Sequence, residues 1–456
     1  MPVKRMRIVR WAVLASMLGA GLTSACATAI SGSADNIARL ELAKTSNPNS
    51  EAVARNLGIA YFKATPPRYN DARASLTQAV SMDQKDGVAA LYLGLTAEAQ
   101  NDLPAAKTAY ESYLAVGKTR GVKNQISERL AVIDRKVNEE QAKRAVAQEQ
   151  ALSAVPGPPN TVAVMPFTFT GADTSLKPLE RGMADLVTTD LSRASALKVL
   201  ERQQLQALLD EIQLQQSAGI QSGTGVRAGK ILQAGRIVGG SISQLGPDQL
   251  RATASVTNVQ TSALQGNPTP QQSTIDQLFD MEKRLVLDLF ANLNVTLTTA
   301  ERNAIEQRPT RSMAAFLSYS RGLELEDQGR YDEASRSFDN ALRLDPGFVP
   351  AQQKSAETHA VVAGAAVNAG TVESGLRGTT EGAAVTAAAA GMTTSGSSAG
   401  GGASSVADGL NPSVAGTASG GSTTTTTQPT RDASAGTGGN NPTAKTAKVT
   451  IVIKQP

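Results

Sequence analysis

Apolar residues recur at three- and four-residue spacings in residues 51–150 and again in 311–360. This spacing is typical of amphipathic helices that bury one face. In 160–300, short apolar runs that suit buried strands alternate with helical patterns, an order typical of an α/β domain. The pattern predicts an α/β middle domain, with a mixed sheet and helices packed on it, between two α-helical segments. The stretch VPGPP at 155–159 cannot continue a helix and marks the first boundary.

The middle domain opens with the buried-type strand TVAVMPF at 161–167, and the following pattern predicts a helix at 177–194. Residues 236–244 and 249–258 predict a hairpin joined by a turn at GPD. The alternating face of its second strand carries only small side chains, namely Ala252, Ala254 and Val256. We interpret the hairpin as a strand pair of the domain itself.

Small residues stand at fixed offsets in the amino-terminal helical segment. Gly94 is followed by Ala106 and Tyr110 at offsets of 12 and 16 residues. Gly58 and Ala72 begin an earlier copy in which every offset is two residues longer. Because small residues let two helices approach closely, each copy predicts a helical hairpin.

The same offsets return in the carboxy-terminal helical segment. The residues are Gly322, Ala334, Phe338, Ala341 and Pro346, at offsets of 0, 12, 16, 19 and 24. In this hairpin Phe338 fills the groove and Pro346 ends the second helix. The offsets resemble the tetratricopeptide repeat, which implies concave surfaces that bind other proteins. Since a lone hairpin is rarely stable, we expect this unit to pack on residues 348–360 and on the middle domain.

Residues 121–150 predict a charged helix with one apolar stripe. The stripe consists of Ile126, Leu130, Ile133 and Val137. One interpretation is a helix that caps the amino-terminal repeats within 51–150. The alternative is a coiled-coil contact between subunits.

Three segments of the middle domain carry a family resemblance. They are VAVMPF at 162–167, VLER at 199–202 and IVGGSIS at 237–243. Their order and spacing resemble the CsgG-type family, named for the curli secretion lipoprotein of the outer membrane. The resemblance implies an envelope lipoprotein with an assembly, secretion or scaffold role, often oligomeric, and it does not imply catalysis. Secretion channels of the family give each subunit two amphipathic hairpins, and this sequence offers one candidate, at 236–258.

The amino terminus has a basic segment followed by an apolar run at 11–22, which is typical of an export signal. The run is shorter than the roughly 20 residues that cross a bilayer as a helix. The residues TSAC at 23–26 resemble the lipobox of a bacterial lipoprotein, although Thr replaces the usual Leu. The resemblance implies a signal peptide at 1–25, lipid attachment at Cys26 and an outer-membrane lipoprotein that faces the periplasm. Ordinary cleavage or a retained anchor is the alternative.

The composition limits the chemistry. One His and one Cys leave no material for His-rich or Cys-rich metal sites, a disulfide framework or a Ser-His-Asp relay. We therefore predict that the protein is not an enzyme and takes no metal, cofactor or small-molecule substrate. Without 1–25, which holds four basic residues and no acidic one, the chain has 40 basic and 40 acidic residues. A neutral chain is not expected to bind nucleic acid.

Two sets of charged residues in the middle domain are candidate functional groups. Glu201 and Arg202 lie where a predicted strand leads into a helix. The simpler interpretation is helix initiation, with Glu201 favourable at the positive end of the helix dipole. The alternative is an ion pair between subunits. Asp173, Asp185 and Asp190 form a candidate carboxylate group. However, Asp185 and Asp190 are five residues apart on a predicted helix and only roughly share a face, which favours a solvated side of that helix.

Two low-complexity segments flank the predicted folded regions. Residues 26–50 are small and polar and predict a tether. Residues 361–447 are mostly Ala, Gly, Ser and Thr without an aromatic residue, and this composition predicts disorder. The sequence KVTIVIKQP at 448–456 predicts a short strand that adds to an exposed sheet edge, with an unpaired end as the alternative.

Together these features predict a non-enzymatic envelope lipoprotein, held at the membrane by an acyl group. It would act as a periplasm-facing scaffold, or as an assembly and secretion accessory, by binding envelope proteins through its repeat surfaces, and we expect a homo-oligomer. The alternatives are a subunit of an outer-membrane curli-type secretion channel and a lipoprotein regulator of a cell-wall synthase.

Overall fold

Side-chain caps fix where the amino-terminal helices begin, because Ser or Asp just before a helix accepts a hydrogen bond from a first-turn N–H group. Ser50, Asp86 and Asp102 do so here. The computed structural model describes residues 30–215 and 223–383. Its first helices are α1 (Ala34–Ser46), α2 (Glu51–Phe62), α3 (Tyr69–Met82), α4 (Gly87–Ala99), α5 (Leu103–Val116) and α6 (Arg120–Ala147). Helices α2 to α5 form two helical hairpins, and α6 packs on α5.

Helix α1 corrects the predicted tether. Residues 26–50 were expected to be a tether, but residues 34–46 form a helix that packs on α2. Ile37 and Leu40 lie one turn apart and are buried with Leu57, and the Tyr61 hydroxyl donates to Glu41 at 2.7 Å. Two apolar side chains at helical spacing are therefore enough to dock this segment as a helix, although its composition is polar.

Helix α6 connects the amino-terminal hairpins with the rest of the molecule. Its apolar stripe at Ile126, Leu130, Ile133 and Val137 is buried inside the chain, in the same core as the hairpins. The helix packs on α5 and, further along, on elements of the middle domain and the carboxy-terminal helices. The stripe thus serves as a cap within the chain, and the interpretation as a contact between subunits is wrong for these four residues.

The middle domain is built on one mixed sheet. Its elements are α7 (Glu149–Ser153), β1 (Thr161–Val164), β2 (Thr168–Thr170), α8 (Leu179–Leu191), β3 (Lys198–Val199), α9 (Arg202–Gln215), α10 (Thr224–Ile231), β4 (Arg236–Gly246), β5 (Gln249–Asn258), β6 (Leu264–Gln265), β7 (Gln271–Thr274) and α11 (Leu278–Asn292). The strand order is β3-β1-β4-β5-β6, with β2 beside β4 and β7 beside β5. Strand β1 runs parallel to β3 and β4, and β4 pairs antiparallel with β5. The predicted fold class is confirmed.

Helices cover both faces of this sheet. On β5, the face with Ala252, Ala254 and Val256 is buried under α8 and α11, as expected for a strand pair of the domain. On the other face, Ala163 and Ile237 pack against α9, α10 and the last turns of α6.

The carboxy-terminal helices are α12 (Thr299–Ile305), α13 (Met313–Asp327), α14 (Tyr331–Leu344), α15 (Val349–Ala366) and α16 (Ala369–Leu376). The α13/α14 hairpin packs on α8 of the middle domain and on α15. Both of these contacts were predicted from the instability of a lone hairpin, and both are confirmed. Helix α15 packs on α6 as well, so the second repeat is also attached to the first.

The predicted disordered tail begins too early. Disorder was expected from residue 361, yet α15 extends to Ala366 and α16 follows after two residues. Val367, Val372 and Leu376 are buried in the core of the amino-terminal hairpins, which offsets the ordering entropy of this small-residue segment.

Several predicted features lie outside the described residues. These are the signal peptide at 1–25, the lipid-attachment residue Cys26, the tail at 384–447 and the strand at 448–456. Among the helices within 30–215 and 223–383, none is both long and apolar enough to cross a membrane.

Candidate functional site

The predicted repeat residues lie where helices of each hairpin cross. A Cβ on Gly58 would lie 2.5 Å from Leu76 Cγ, and one on Gly322 would lie 2.5 Å from Phe338 Cε1. A Cβ on Gly94 would overlap the Tyr110 ring. The other predicted packing residues are fully buried, namely Ala72, Ala106, Tyr110, Ala334, Phe338 and Ala341. Pro346 is exposed in the turn after α14.

A buried charge network joins the middle domain to the second repeat. Arg202, the first residue of α9, forms ion pairs with Glu326 and Asp327 at the end of α13. Its Nε also lies 3.8 Å from Asp185 Oδ1 on α8. Although burial opposes it, the carboxylates of Asp327 and Glu326 raise the pKa of Arg202. Arg202 therefore stays charged and holds three elements together.

Four more side chains bond to the same carboxylates. They are Arg181 to Asp327 at 2.8 Å, Lys354 and Gln203 to Glu326 at 3.2 and 3.3 Å, and the Tyr319 hydroxyl to Asp185 at 2.7 Å. Burial alone would raise the pKa of Glu326, but Lys354 and Arg202 hold it below its usual value. Burial raises the pKa of Asp185. We name this set the Arg202 network.

The structure places both sets of charged residues considered in the sequence. Arg202, for which an ion pair between subunits was the alternative interpretation, forms ion pairs with residues of its own chain. Asp185 and Asp190 were expected on a solvated helix side, but Asp190 is buried, the Asp185 side chain is only 16% exposed, and both are ion-paired. Glu201 is partly buried just before α9, and its carbonyl accepts from the Leu205 N–H, which agrees with helix initiation.

Next to the network, α8 and α13 cross at close range because small residues lie at the crossing point. A Cβ on Gly182 would overlap Ser320 Oγ and lie 2.9 Å from Phe316 Cζ. Ser320 is fully buried. The crossing brings Arg181 and Asp185, on either side of Gly182, within reach of α13.

A second buried charge cluster lies between α8 and α11. Lys283 Nζ lies 2.5 Å from Asp190 Oδ2 and 3.1 Å from Glu282 Oε2, and Arg193 binds Asp190 at 3.2 Å. Burial and the neighbouring Asp190 raise the pKa of Glu282 to about 8. Glu282 thus carries a proton at neutral pH in the folded protein.

Replacing Glu282 with Gln is expected to remove a pH dependence of stability. Glu282 has a pKa near 4.5 when unfolded and about 8 when folded. Its contribution is fully present below pH 4.5 and is lost as the pH rises through 8. As the pH rises from 5 to 8.5, wild type should lose on the order of 1–3 kcal/mol of unfolding free energy through Glu282. Glu282→Gln should not show this loss.

Urea unfolding at a series of pH values measures this difference. The matched control is Asp280→Asn on the same helix, where Asp280 is exposed and pairs with Arg308. The control should change little between the two pH values. An unchanged pH profile in Glu282→Gln would contradict the assignment of the proton.

These clusters hold helices together through ion pairs between side chains. In the described part of the chain, no group of three or more His, Cys, Asp or Glu residues could hold a metal ion. Sequence reasoning missed Glu326, Asp327 and Lys354. One signal was available, because LELED at 323–327 places adjacent acids at the end of the first repeat helix.

Comparison with known families agrees with this architecture. Residues 140–267 match the family model for the curli production assembly/transport component CsgG. Residues 67–119 and 315–348 match tetratricopeptide repeat models. No curated protein matches this chain. The predicted resemblance to the CsgG-type family, with flanking tetratricopeptide-like repeats, is confirmed.

Proposed function

We propose that this protein is a non-enzymatic envelope lipoprotein that acts as a periplasm-facing scaffold or as an assembly and secretion accessory. One observation carries the proposal: the domain that matches the CsgG model is fastened between two tetratricopeptide-like repeats, a type of repeat that generally mediates protein–protein interaction. The Arg202 network attaches one repeat to the domain, and α6 attaches the other. A body fastened in this way presents its repeat surfaces in a fixed relation to one another, which suits bridging of partners.

The membrane part of the proposal rests on the amino-terminal sequence. The residues at 23–26 resemble a lipobox, and acylation of Cys26 would place the folded body on the periplasmic side. A single acyl chain gives marginal, reversible binding to a membrane, whereas two or more give stable anchoring. The CsgG family match supports an association with the bacterial envelope.

Replacing Cys26 with Ser is expected to release the protein from the membrane. Wild type should incorporate labelled palmitate and fractionate with the outer membrane, and Cys26→Ser should do neither. Ser24→Ala, which keeps a small residue before the Cys, is the matched control and should behave like wild type. Recovery of Cys26→Ser in the outer-membrane fraction would refute the acyl anchor.

The scaffold role is tested by crosslinking in intact cells, followed by purification of this protein and identification of the crosslinked residues by mass spectrometry. We expect crosslinks from the repeat helices to other envelope proteins and to a second copy of the chain. Crosslinks confined to the chain itself would contradict the scaffold.

A secretion-channel subunit is the second candidate, because the family match includes a transport component. Purified oligomers that resist heat and conduct in planar bilayers would favour it over the scaffold. Against it, the apolar side chains of the one candidate hairpin, at Leu250, Ala252, Ala254 and Val256, pack inside the domain core. The third candidate, a regulator of a cell-wall synthase, would be favoured by a synthase among the crosslinked proteins.

A further inference from the structure

Helix α4 is buried all round its circumference, which is unusual for a helix of a surface repeat. Its buried residues run almost without a break from Gly87 to Ala97, whereas an amphipathic helix buries only one stripe. One side of α4 packs on α2, α3 and α5. The chain's own segment 367–383, which includes α16, packs on α6 and reaches α4 through Glu373 at Tyr92 and Glu381 beside Gly87.

Apolar contacts hold α16 on this surface. Val372 and Leu376, one turn apart, and Val367 just before the helix are buried in the same core as Leu91 and Val122. Gly375 of α16 approaches closely, since a Cβ there would lie 3.0 Å from Val122 Cγ2. The surface thus provides an apolar strip matched to residues at helical spacing.

A carboxylate is recognised at one end of the strip. Lys63 Nζ lies 3.0 Å from Glu373 Oε1, and the Tyr92 hydroxyl donates to the same oxygen at 3.0 Å. Lys63 also lies over the Tyr92 ring, 5.6 Å from its centroid. A cation and a phenol therefore converge on one acidic group.

A second carboxylate is recognised at the beginning of α6. The backbone N–H groups of Lys118 and Thr119 each donate to Glu381 at 2.9 Å, and the Tyr113 hydroxyl donates at 3.2 Å. Glu381 is only 6% exposed. Unpaired N–H groups and the helix dipole make the start of a helix favourable for an anion. These contacts are stronger than those between neutral groups.

The segment 367–383, which occupies this surface, has little stability of its own. Helix α16 has eight residues, and isolated helices of this length are marginal in water. The segment lies at the end of the described range 223–383. Three apolar side chains and two carboxylates of the segment make the contacts described above.

We propose that the inner face of the amino-terminal repeats, formed by Lys63, Tyr92, Tyr113, Val122 and the N–H groups of residues 118 and 119, is a docking site for a helical segment of a partner protein. The partner segment bears apolar residues one turn apart and two carboxylates, as 367–383 does, and it displaces that built-in occupant. This inference deepens the proposed protein-binding function, on which it rests. It adds that the site is closed until a competing segment arrives.

The test uses the purified full chain and a fluorescent peptide of residues 365–383 as the probe. In wild type, the tethered segment competes at a high effective concentration, so the peptide should bind weakly. In a full chain carrying Val372→Asp and Leu376→Asp, the site is open, and the peptide should bind at least tenfold more tightly. The matched control is Thr380→Asp, at an exposed position of the same segment, which should bind like wild type.

Two further measurements make the outcome decisive. A peptide with Glu373→Gln and Glu381→Gln should bind the open variant at least tenfold more weakly, as should the unchanged peptide to an open variant with Lys63→Glu. If the open variant retains its circular dichroism but binds no better than wild type, or binds both peptides equally, the proposal is overturned.

Should the open variant fail to fold, wild type alone suffices. Saturating peptide should raise hydrogen exchange in residues 367–383 while α3 keeps its protection, and unchanged exchange there overturns the proposal. Because these assays use only purified components, their failure leaves the envelope scaffold standing. Failure of the fractionation and crosslinking leaves the docking site standing.

Discussion

Replacing Arg202 with Met is expected to lower the free energy of unfolding by about 3–5 kcal/mol. Met fills similar space but leaves Asp185, Glu326 and Asp327 without their shared cation. Removing one partner of a buried ion pair is costly because the remaining charge is neither paired nor solvated. Denaturant unfolding followed by circular dichroism measures the loss.

Arg321→Met is the matched control for Arg202→Met. Arg321 also forms an ion pair with an acidic residue, Glu324, but its side chain is 49% exposed. Arg321→Met should therefore lower the free energy of unfolding by no more than about 0.5 kcal/mol. Adding Asp185→Asn to Arg202→Met should recover part of the stability, because one buried charge is removed while Tyr319 keeps an acceptor. Equal losses for Arg202→Met and Arg321→Met would show that the network contributes no more than a surface pair.

Replacing Gly182 with Val is the second change expected to have a large effect. The side chain would enter space held by Ser320 and Phe316, so α8 and α13 must move apart. Overpacking of this kind costs about 1–3 kcal/mol, occasionally more. The same movement separates Arg181 from Asp327, which lie 2.8 Å apart, so proteolysis between the middle domain and the second repeat should accelerate as well.

Gly121→Val provides the control, because a Cβ on Gly121 in α6 would meet no atom within 4 Å. Its unfolding free energy should change by no more than about 0.5 kcal/mol. A milder pair tests the crossing directly: Gly182→Ala should destabilise wild type more than it destabilises a Ser320→Gly variant. Additive effects of Gly182→Ala and Ser320→Gly would argue against direct contact at this crossing.

Local patterns predicted the repeats well, because the residues that touch are close in the sequence. Gly322 and Phe338 are separated by 16 positions, and the helical period alone places them on facing sides of one hairpin. The α/β order of the middle domain was also predictable from local patterns, because strands and helices have different hydrophobic periods.

The charged groups could not be placed from local patterns. Arg202 meets Asp327 across 125 positions of sequence, and Lys283 meets Asp190 across 93. A helix period shows which residues share a face but not which element will cover that face. Asp185 and Asp190 were therefore expected to be solvated, although α13 and α11 cover them.

Composition was misleading at both ends of the folded body. The average composition is too polar or too rich in small residues to predict folding in two segments, 26–50 and the first part of 361–447. A few apolar side chains at helical spacing, such as Ile37 with Leu40 and Val372 with Leu376, are enough to dock a short helix on a surface that already exists. A composition average contains no information about that surface.

The contact between Tyr92 and Glu373 joins residues 281 positions apart. The first hairpins can therefore form before residues 367–383 have docked on α4 and α6. Contacts of such large sequence separation form late and slow the folding rate. The core of the amino-terminal hairpins should therefore be among the last parts of the described fold to be completed, because its final side chains come from the carboxy-terminal helices.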